Sequence, residues 1–312
     1  MIRYDGVLLC HKPYMFSSHK VVSTLRQIIG QKKIGHTGTL DPRATGLMII
    51  CLGRATKIAQ FLSDLDKTYI ADIKLGMRST TYDSEGIINE ESPMPVPPLE
   101  AGEISKILDE FRGVIAQKVP PFSAVKINGQ RLYKMARKGQ DVPPVEKQVN
   151  IKEIELLEFE SPIIRCRVKC GKGTYIRSLA NEIGERIGCG AYLAALSRSE
   201  VGNFRLSEAL SLDEIRHYRQ AESLGRFVRS IEEVLSLPCI RIDERFAAAI
   251  ISGQSPRAKD VVGISREFAA HQLVGLTDLE GRIMAIGKTD IDSSMIMEQK
   301  TGNFFHYVRV LN

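Results

Sequence analysis

The stretch Gly35-His36-Thr37-Gly38-Thr39-Leu40-Asp41-Pro42-Arg43-Ala44-Thr45-Gly46 decides how this chain is read. It sets a single carboxylate, Asp41, in a glycine-punctuated loop within a cation-rich part of the chain. Gly35, Gly38 and Gly46 are expected to allow backbone conformations that a Cβ would penalise, and Pro42 to push Asp41 into an extended conformation. Such a segment makes a poor core and a good active site. Two readings stand side by side: Asp41 caps a helix beginning at Pro42, or it presents its carboxylate to a ligand.

The charge around this loop favours an anionic ligand. The whole chain carries +6, but residues 1–58 alone carry +7 and residues 118–152 carry +6, so the remainder is net negative. Two separated basic blocks, one holding Asp41, suit a polyanion lying across the molecule. A solvated charged face is the ordinary alternative for either block taken alone.

Outward from the loop, helices and strands alternate as in a mixed α/β enzyme. Ser17 or Ser18 caps a helix with the stripe Val21, Val22, Leu25, Ile28 and Ile29, stopped by Gly30. Met48 to Leu52 reads as a buried strand, and Tyr69 to Leu75 alternates as a strand with one apolar face. Ser92 to Pro98 is a proline-rich connector, followed by a helix with Ile104, Ile107, Leu108 and Phe111. From Val119 to Val149 apolar periodicity lapses, with Pro120-Pro121, Asn128-Gly129 and Pro143-Pro144, as in a substrate lid or a solvated charged loop. Ile164 to Cys170 reads as an antiparallel strand with an apolar face opposed to Arg165, Arg167 and Lys169. Gly171-Lys172-Gly173 then turns into a helix with the stripe Ile176, Leu179, Ala180, Ile183 and Ile187. Arg177 lies off that stripe in the first turn, where the helix dipole disfavours a cation, so it is either a surface arginine or the partner of a carboxylate.

After Pro238 the chain breaks into short strands, Ile240–Ile242, 272–277, 282–287 and 305–311, with Asp278-Leu279-Glu280-Gly281 as a hairpin turn. A small β-barrel is expected there. At 312 residues and 43% hydrophobic, the chain can bury a sizeable core in more than one domain. The six cysteines form no CxxC pair, so neither a disulfide framework nor a zinc site is indicated. No P-loop or G-x-G-x-x-G pattern occurs, and neither metal nor nucleotide cofactor is expected. Without a long apolar run or a signal-peptide core, a cytoplasmic protein independent of membranes is expected.

Five segments in order resemble one family. The loop around Asp41, Lys12-Pro13, Lys67-Thr68-Tyr69, Val119 to Lys126, and Gly173-Thr174-Tyr175-Ile176-Arg177-Ser178-Leu179 are similar to the motifs of the TruB family, the tRNA pseudouridine-55 synthases. The similarity runs from about Asp5 to Phe204.

This resemblance implies an α+β fold with a mixed, mainly antiparallel sheet. A catalytic domain would span 1–236, with 119–150 as a thumb-like RNA-binding insertion, and a PUA-like RNA-binding barrel would follow at 237–312. It makes Asp41 the catalytic nucleophile and pairs it with Arg177, which would hold its pKa low. His36 would fill the space left by a flipped nucleotide, Tyr69 stack on the base and accept a proton, Tyr175 line the pocket and Leu196 its apolar side. Lys12 and Lys67 would give electrostatic support or phosphate contacts, and Lys126, Arg131, Tyr133, Lys134 and Arg137 would grip RNA.

The implied activity is isomerisation of the T-arm uridine of tRNA by a monomer, with no protein partner implied. A pseudouridine synthase with another RNA target is one alternative. A tRNA-binding folding factor in which catalysis is dispensable is another.

Overall fold

A computed structural model of the chain describes residues 2–311 apart from 90–93, 121, 124, 128, 138–139, 141–142, 144 and 299–302, and only the backbone at 126, 127, 131 and 137. The strands are β1 (Gly6–Lys12), β2 (Ile34–His36), β3 (Thr45–Leu52), β4 (Lys67–Leu75), β5 (Gly113–Lys118), β6 (Lys126–Ile127), β7 (Gln130–Arg131), β8 (Glu146–Glu160) and β9 (Ile163–Cys170). They continue with β10 (Ala191–Val201), β11 (Phe204–Arg205), β12 (Val228–Arg229), β13 (Cys239–Ile242), β14 (Val261–Ile264), β15 (Leu273–Thr277), β16 (Ile283–Thr289) and β17 (Phe305–Val310). The main sheet runs β12-β1-β3-β10-β4-β9-β8-β5, with β2 on β3 and β11 on β10. Every pairing in it is antiparallel except β3 with β10.

Helices α1 (Ser18–Ile29), α2 (Ala59–Ser63), α3 (Ala101–Asp109), α4 (Leu132–Arg137) and α5 (Ile176–Ile187) include the three expected from the sequence. Ser17 caps α1 by accepting the Lys20 N–H, a cap worth about 1 kcal/mol, and Gly30 ends it at φ 75. Gly188 ends α5 at φ 91. The apolar stripes of α1, α3 and α5 pack on one face of the sheet, against Leu8, Met48, Ile50, Tyr69, Ala71 and Ile73. On the other face Val7, Leu9, Leu47 and Ile49 meet Ala55, Ile58 and Leu62, together with Ile283, Ile286 and Leu311 of the C-terminal region. Covered on both sides, β3 is a continuous apolar run, whereas β4 alternates because only one of its faces is buried.

The C-terminal strands form a second sheet, β14-β13-β15-β16-β17, antiparallel except between β13 and β15. The hairpin turn at Asp278–Gly281 closes as expected, with the Asp278 N–H donating to the Arg282 carbonyl at 3.1 Å. Among the described residues this sheet is open, with β14 and β17 as its edges, where a barrel was expected. Arg54 joins the two sheets, donating to the carbonyls of Leu311 at 2.9 Å and Ile283 at 2.7 Å. Part of the first basic block therefore holds the fold together.

The second basic block leaves the sheet between neighbouring strands. β5 and β8 pair from Gly113 with Ile151 to Lys118 with Glu146, and the Val119 N–H donates to the Val145 carbonyl at 2.8 Å. The excursion thus closes at Val145, before its expected end at 150, because Glu146 to Asn150 already belong to β8. Within it, β6 and β7 pair as a hairpin and α4 follows. Pro121, Ala124, Asn128, Lys138, Asp141 and Pro144 lie outside the described residues, as do Ser92 and Pro93 of the connector. The basic face of β9 is neutralised across the strands, Arg165 by Asp72 at 2.7 Å, Arg167 by Glu155 at 2.7 Å and Lys169 by Glu153 at 3.0 Å.

Candidate active site

Asp41 lies between β2 and β3 in a turn, closed by the Ala44 N–H donating to the Asp41 carbonyl at 3.1 Å. No helix begins at Pro42, so Asp41 is not an N-cap. The turn is clamped from several sides. Ser18 Oγ accepts from the Leu40 N–H at 2.8 Å and donates to the Leu40 carbonyl at 2.9 Å, while the Arg43 N–H donates to Glu85 Oε1 at 3.2 Å.

Lys12 works from beneath. Its side chain has no exposed surface, and Nζ donates to the carbonyls of Pro13 at 3.0 Å, Pro42 at 2.9 Å and Ala44 at 2.5 Å. Burial pulls its pKa down to about 8 against the attraction of Asp41 and Glu85. Of the two roles expected for Lys12, electrostatic support fits this position; a phosphate contact lacks the surface.

Arg198 of β10 braces the loop's other limb, donating from Nε to the Leu47 carbonyl at 2.7 Å and from Nη2 to the Gly38 carbonyl at 3.1 Å. The glycines fit this brace: a Cβ on Gly38 would stand 3.2 Å from Arg198 Nη1, and one on Gly46, at φ +109, would stand 2.4 Å from the Arg198 carbonyl oxygen. Gly35 has an ordinary φ and open room, so the conformational freedom expected of all three is needed at Gly46 alone.

Arg177, in the first turn of α5, is buried, and its Nε lies 3.6 Å from Asp41 Oδ2. The ion pair expected from the sequence is present, but loosely and in company. Nη1 lies 3.5 Å from Asp83 Oδ2, and Nη2 donates to the Phe122 carbonyl at 2.9 Å. Asp83 is itself buried, with Oδ1 accepting from Thr81 Oγ1 at 2.5 Å and the Glu85 N–H at 3.0 Å. The Asp41 side chain keeps 42% of its surface exposed toward the cleft. Burial and then repulsion by Asp83 raise its pKa, against the opposing pull of Arg177 and Lys12. The expectation that Arg177 holds Asp41 below the usual range is therefore corrected: desolvation outweighs one shared cation at this distance.

A cleft of about 630 Å³ opens above these groups, and Asp41, Lys67, Tyr69, Tyr133, Tyr175, Arg177 and Leu196 all line it. Tyr69 faces Arg198, and burial pushes its phenol up, so at neutral pH it holds its own proton and accepts another only by passing that one on. Tyr175 carries the Arg177 guanidinium over its ring at 5.7 Å. Lys67 turns its ammonium to the carbonyls of Ser63 at 2.5 Å and Leu65 at 2.6 Å, just past α2. His36 is outside the cleft lining, one residue before Thr37, and burial with Arg198 nearby pulls its pKa down. Lys134 is exposed on α4, away from the lining, and the side chains of Lys126, Arg131 and Arg137 lie outside the described residues.

Asp83, Glu85 and Arg198 were missed in the sequence. Arg198 carried a signal, the single cation between Ala191 and Val201, two residues past an apolar run that ends at Leu196; Asp83 sits in a turn-rich stretch, Ser79 to Gly86, with no periodicity to mark it.

The fold agrees with the comparisons. The TruB family pseudouridylate synthase N-terminal domain matches residues 26–176, and the tRNA pseudouridylate synthase B C-terminal domain matches 177–236. The tRNA pseudouridine synthase B of Francisella tularensis subsp. novicida (strain U112) is 46% identical over 233 residues, 75% of this chain and 76% of that protein. That of Francisella philomiragia subsp. philomiragia is 46% identical over the same share of both chains. Among solved structures, a chain of the archaeal box H/ACA sRNP Nop10-Cbf5 complex superposes with a TM-score of 0.73 at 25% identity, covering 98% of this chain and 86% of that one. A chain of a Cbf5-Nop10-Gar1 complex does so at 0.73 and 26%, covering 98% and 85%. The chain belongs to the TruB family of pseudouridylate synthases. It is an α+β isomerase of pseudouridine-synthase fold.

Proposed function

We propose that the enzyme converts the T-arm uridine of tRNA, position 55, to pseudouridine, with Asp41 as nucleophile. The observation that carries this reading is a half-exposed carboxylate facing a cation at the floor of a cleft wide enough for an extruded nucleotide. In the reaction the bond from C1′ to N1 breaks, the uracil turns, C1′ bonds to C5, and the C5 proton leaves while N1 gains one. One nucleophile suffices for this rearrangement. Tyr69 and Tyr175 border the space for the extruded base and Leu196 its apolar side, while His36 stands one residue outside. The main sheet with residues 1–236 is the catalytic unit, the excursion after Lys118 grips RNA, and 237–312 is a PUA-like unit. The enzyme acts as a cytoplasmic monomer on its tRNA.

The test uses unmodified tRNA labelled with tritium at C5 of uridine. Asp41→Asn is expected to release no tritium while binding tRNA within about tenfold of the parent, because phosphate contacts dominate affinity. Turnover by that variant overturns the reading, and release from a position other than 55 reassigns the target.

A further inference from the structure

The helix that carries Arg177 also holds the base of the excursion. The Tyr175 N–H, just before α5, donates to Gln117 Oε1 at 2.8 Å. One and a half turns beyond Arg177, Glu182 Oε1 accepts the Lys118 N–H at 3.1 Å, and Glu185 Oε2 faces Lys118 Nζ at 3.6 Å. Lys118 is the last residue of β5, where the excursion leaves the sheet. Four residues on, the Phe122 carbonyl rests on Arg177. The outgoing limb is thus tied to α5 at points about 7.5 Å apart along a single rigid helix, with Arg177 at one of them.

We propose that Glu182 is a positioning residue: by holding Lys118 it keeps the outgoing limb against α5 and couples the excursion's grip on RNA to the ion pair of Arg177 with Asp41. The proposal rests on the reading of the excursion and of Asp41 given above. Burial and the neighbouring Glu185 and Glu146 push the Glu182 carboxyl up to about 7 against Lys118, with Tyr82 and Arg78 at the same corner. Opening the latch exposes the carboxyl and returns it toward its ordinary lower value, so protonation favours the closed state and the latch loosens as the pH rises through about 7.

Two readouts test it: tryptic cleavage within residues 119–145 of the free protein, and single-turnover isomerisation at saturating tRNA. Losing a charge-assisted acceptor in Glu182→Ala should speed cleavage and slow the single-turnover rate by about tenfold each, while Glu182→Gln, which keeps an acceptor, should recover both to within about threefold. Cleavage by the parent protein, normalised to a small peptide substrate, should rise from pH 6 to pH 8 in the window around about 7, and Glu182→Gln should abolish that dependence. A single-turnover rate unchanged in Glu182→Ala overturns the coupling, and cleavage unchanged overturns the latch. Where Glu182→Ala does not fold, parental pH dependence in Glu182→Gln overturns the proposal alone. Failure of the RNA reading shows separately, as a salt dependence of tRNA binding unmoved by neutralising the excursion's cations.

Discussion

Asp83 and Asp41 share one guanidinium: Arg177 stands 3.5 Å from the first and 3.6 Å from the second. Asp83, held by Thr81 and the Glu85 N–H, therefore both anchors the cation and repels the carboxylate that needs it.

Replacing Asp83 by Asn removes that repulsion and leaves Arg177 with Asp41 as its remaining carboxylate partner, so both effects lower the Asp41 pKa. Activity that needs an ionised Asp41 is lost as pH falls through this pKa. The acid limb of kcat/KM should therefore move to lower pH in Asp83→Asn. A limb that stays in place or moves upward contradicts the shared-cation geometry.

Arg177→Ala should act in the opposite direction, since it removes a group that lowers the Asp41 pKa. It also leaves Asp83 buried without its cation, at a cost of about 3 kcal/mol in stability. Arg177→Lys should recover only part of the loss, because an ammonium cannot serve two carboxylates and the Phe122 carbonyl with the geometry of a planar fork. Denaturant unfolding and pH–rate profiles of both variants read these effects; an unchanged profile for Arg177→Ala would falsify the pairing.

Lys12 gives a signature at alkaline pH. Its folded pKa, about 8, lies below the 10.5 of an ordinary lysine. Between these values the unfolded chain binds more protons than the folded one, so stability should rise with pH, by about 3 kcal/mol over the window. Lys12→Met should erase that rise and lower turnover, since the Pro42 and Ala44 carbonyls beside Asp41 lose their donor. Unfolding of both proteins from pH 7.5 to 10.5 decides it, and parallel curves refute the assignment.

For the excursion, each cation engaging a phosphate adds roughly one unit to the slope of log affinity against log salt. Neutralising Lys134, Arg137 and Lys138 together should flatten that slope by about two to three units, with a much smaller effect on the rate at saturating tRNA. Parallel slopes would route the RNA elsewhere, most directly over the first basic block.

The elements set by local rules were legible in the sequence: α1 by its serine cap and glycine stop, β4 by alternation, and the Asp278–Gly281 turn by its residues. Asp41, Tyr69, Tyr175, Arg177 and Leu196, named from motifs, line one cleft. What escaped depends on contacts between residues far apart in the chain. That Lys12 points inward follows from carbonyls 30 and 32 residues away, and that the basic face of β9 is neutralised follows from acids on β4 and β8. Asp41 read either as a helix cap or as a carboxylate presented to a ligand, and the Leu40 clamp and Lys12 together hold it in a turn that opens onto the cleft.

The excursion begins only after β5 and β8 have completed their pairing at Lys118 and Glu146. A two-residue hairpin could bridge those strands in the register they already have. The main sheet is for that reason indifferent to the far end of the excursion: changes of length or charge between Lys134 and Val145 leave the register of β5 with β8 as it is.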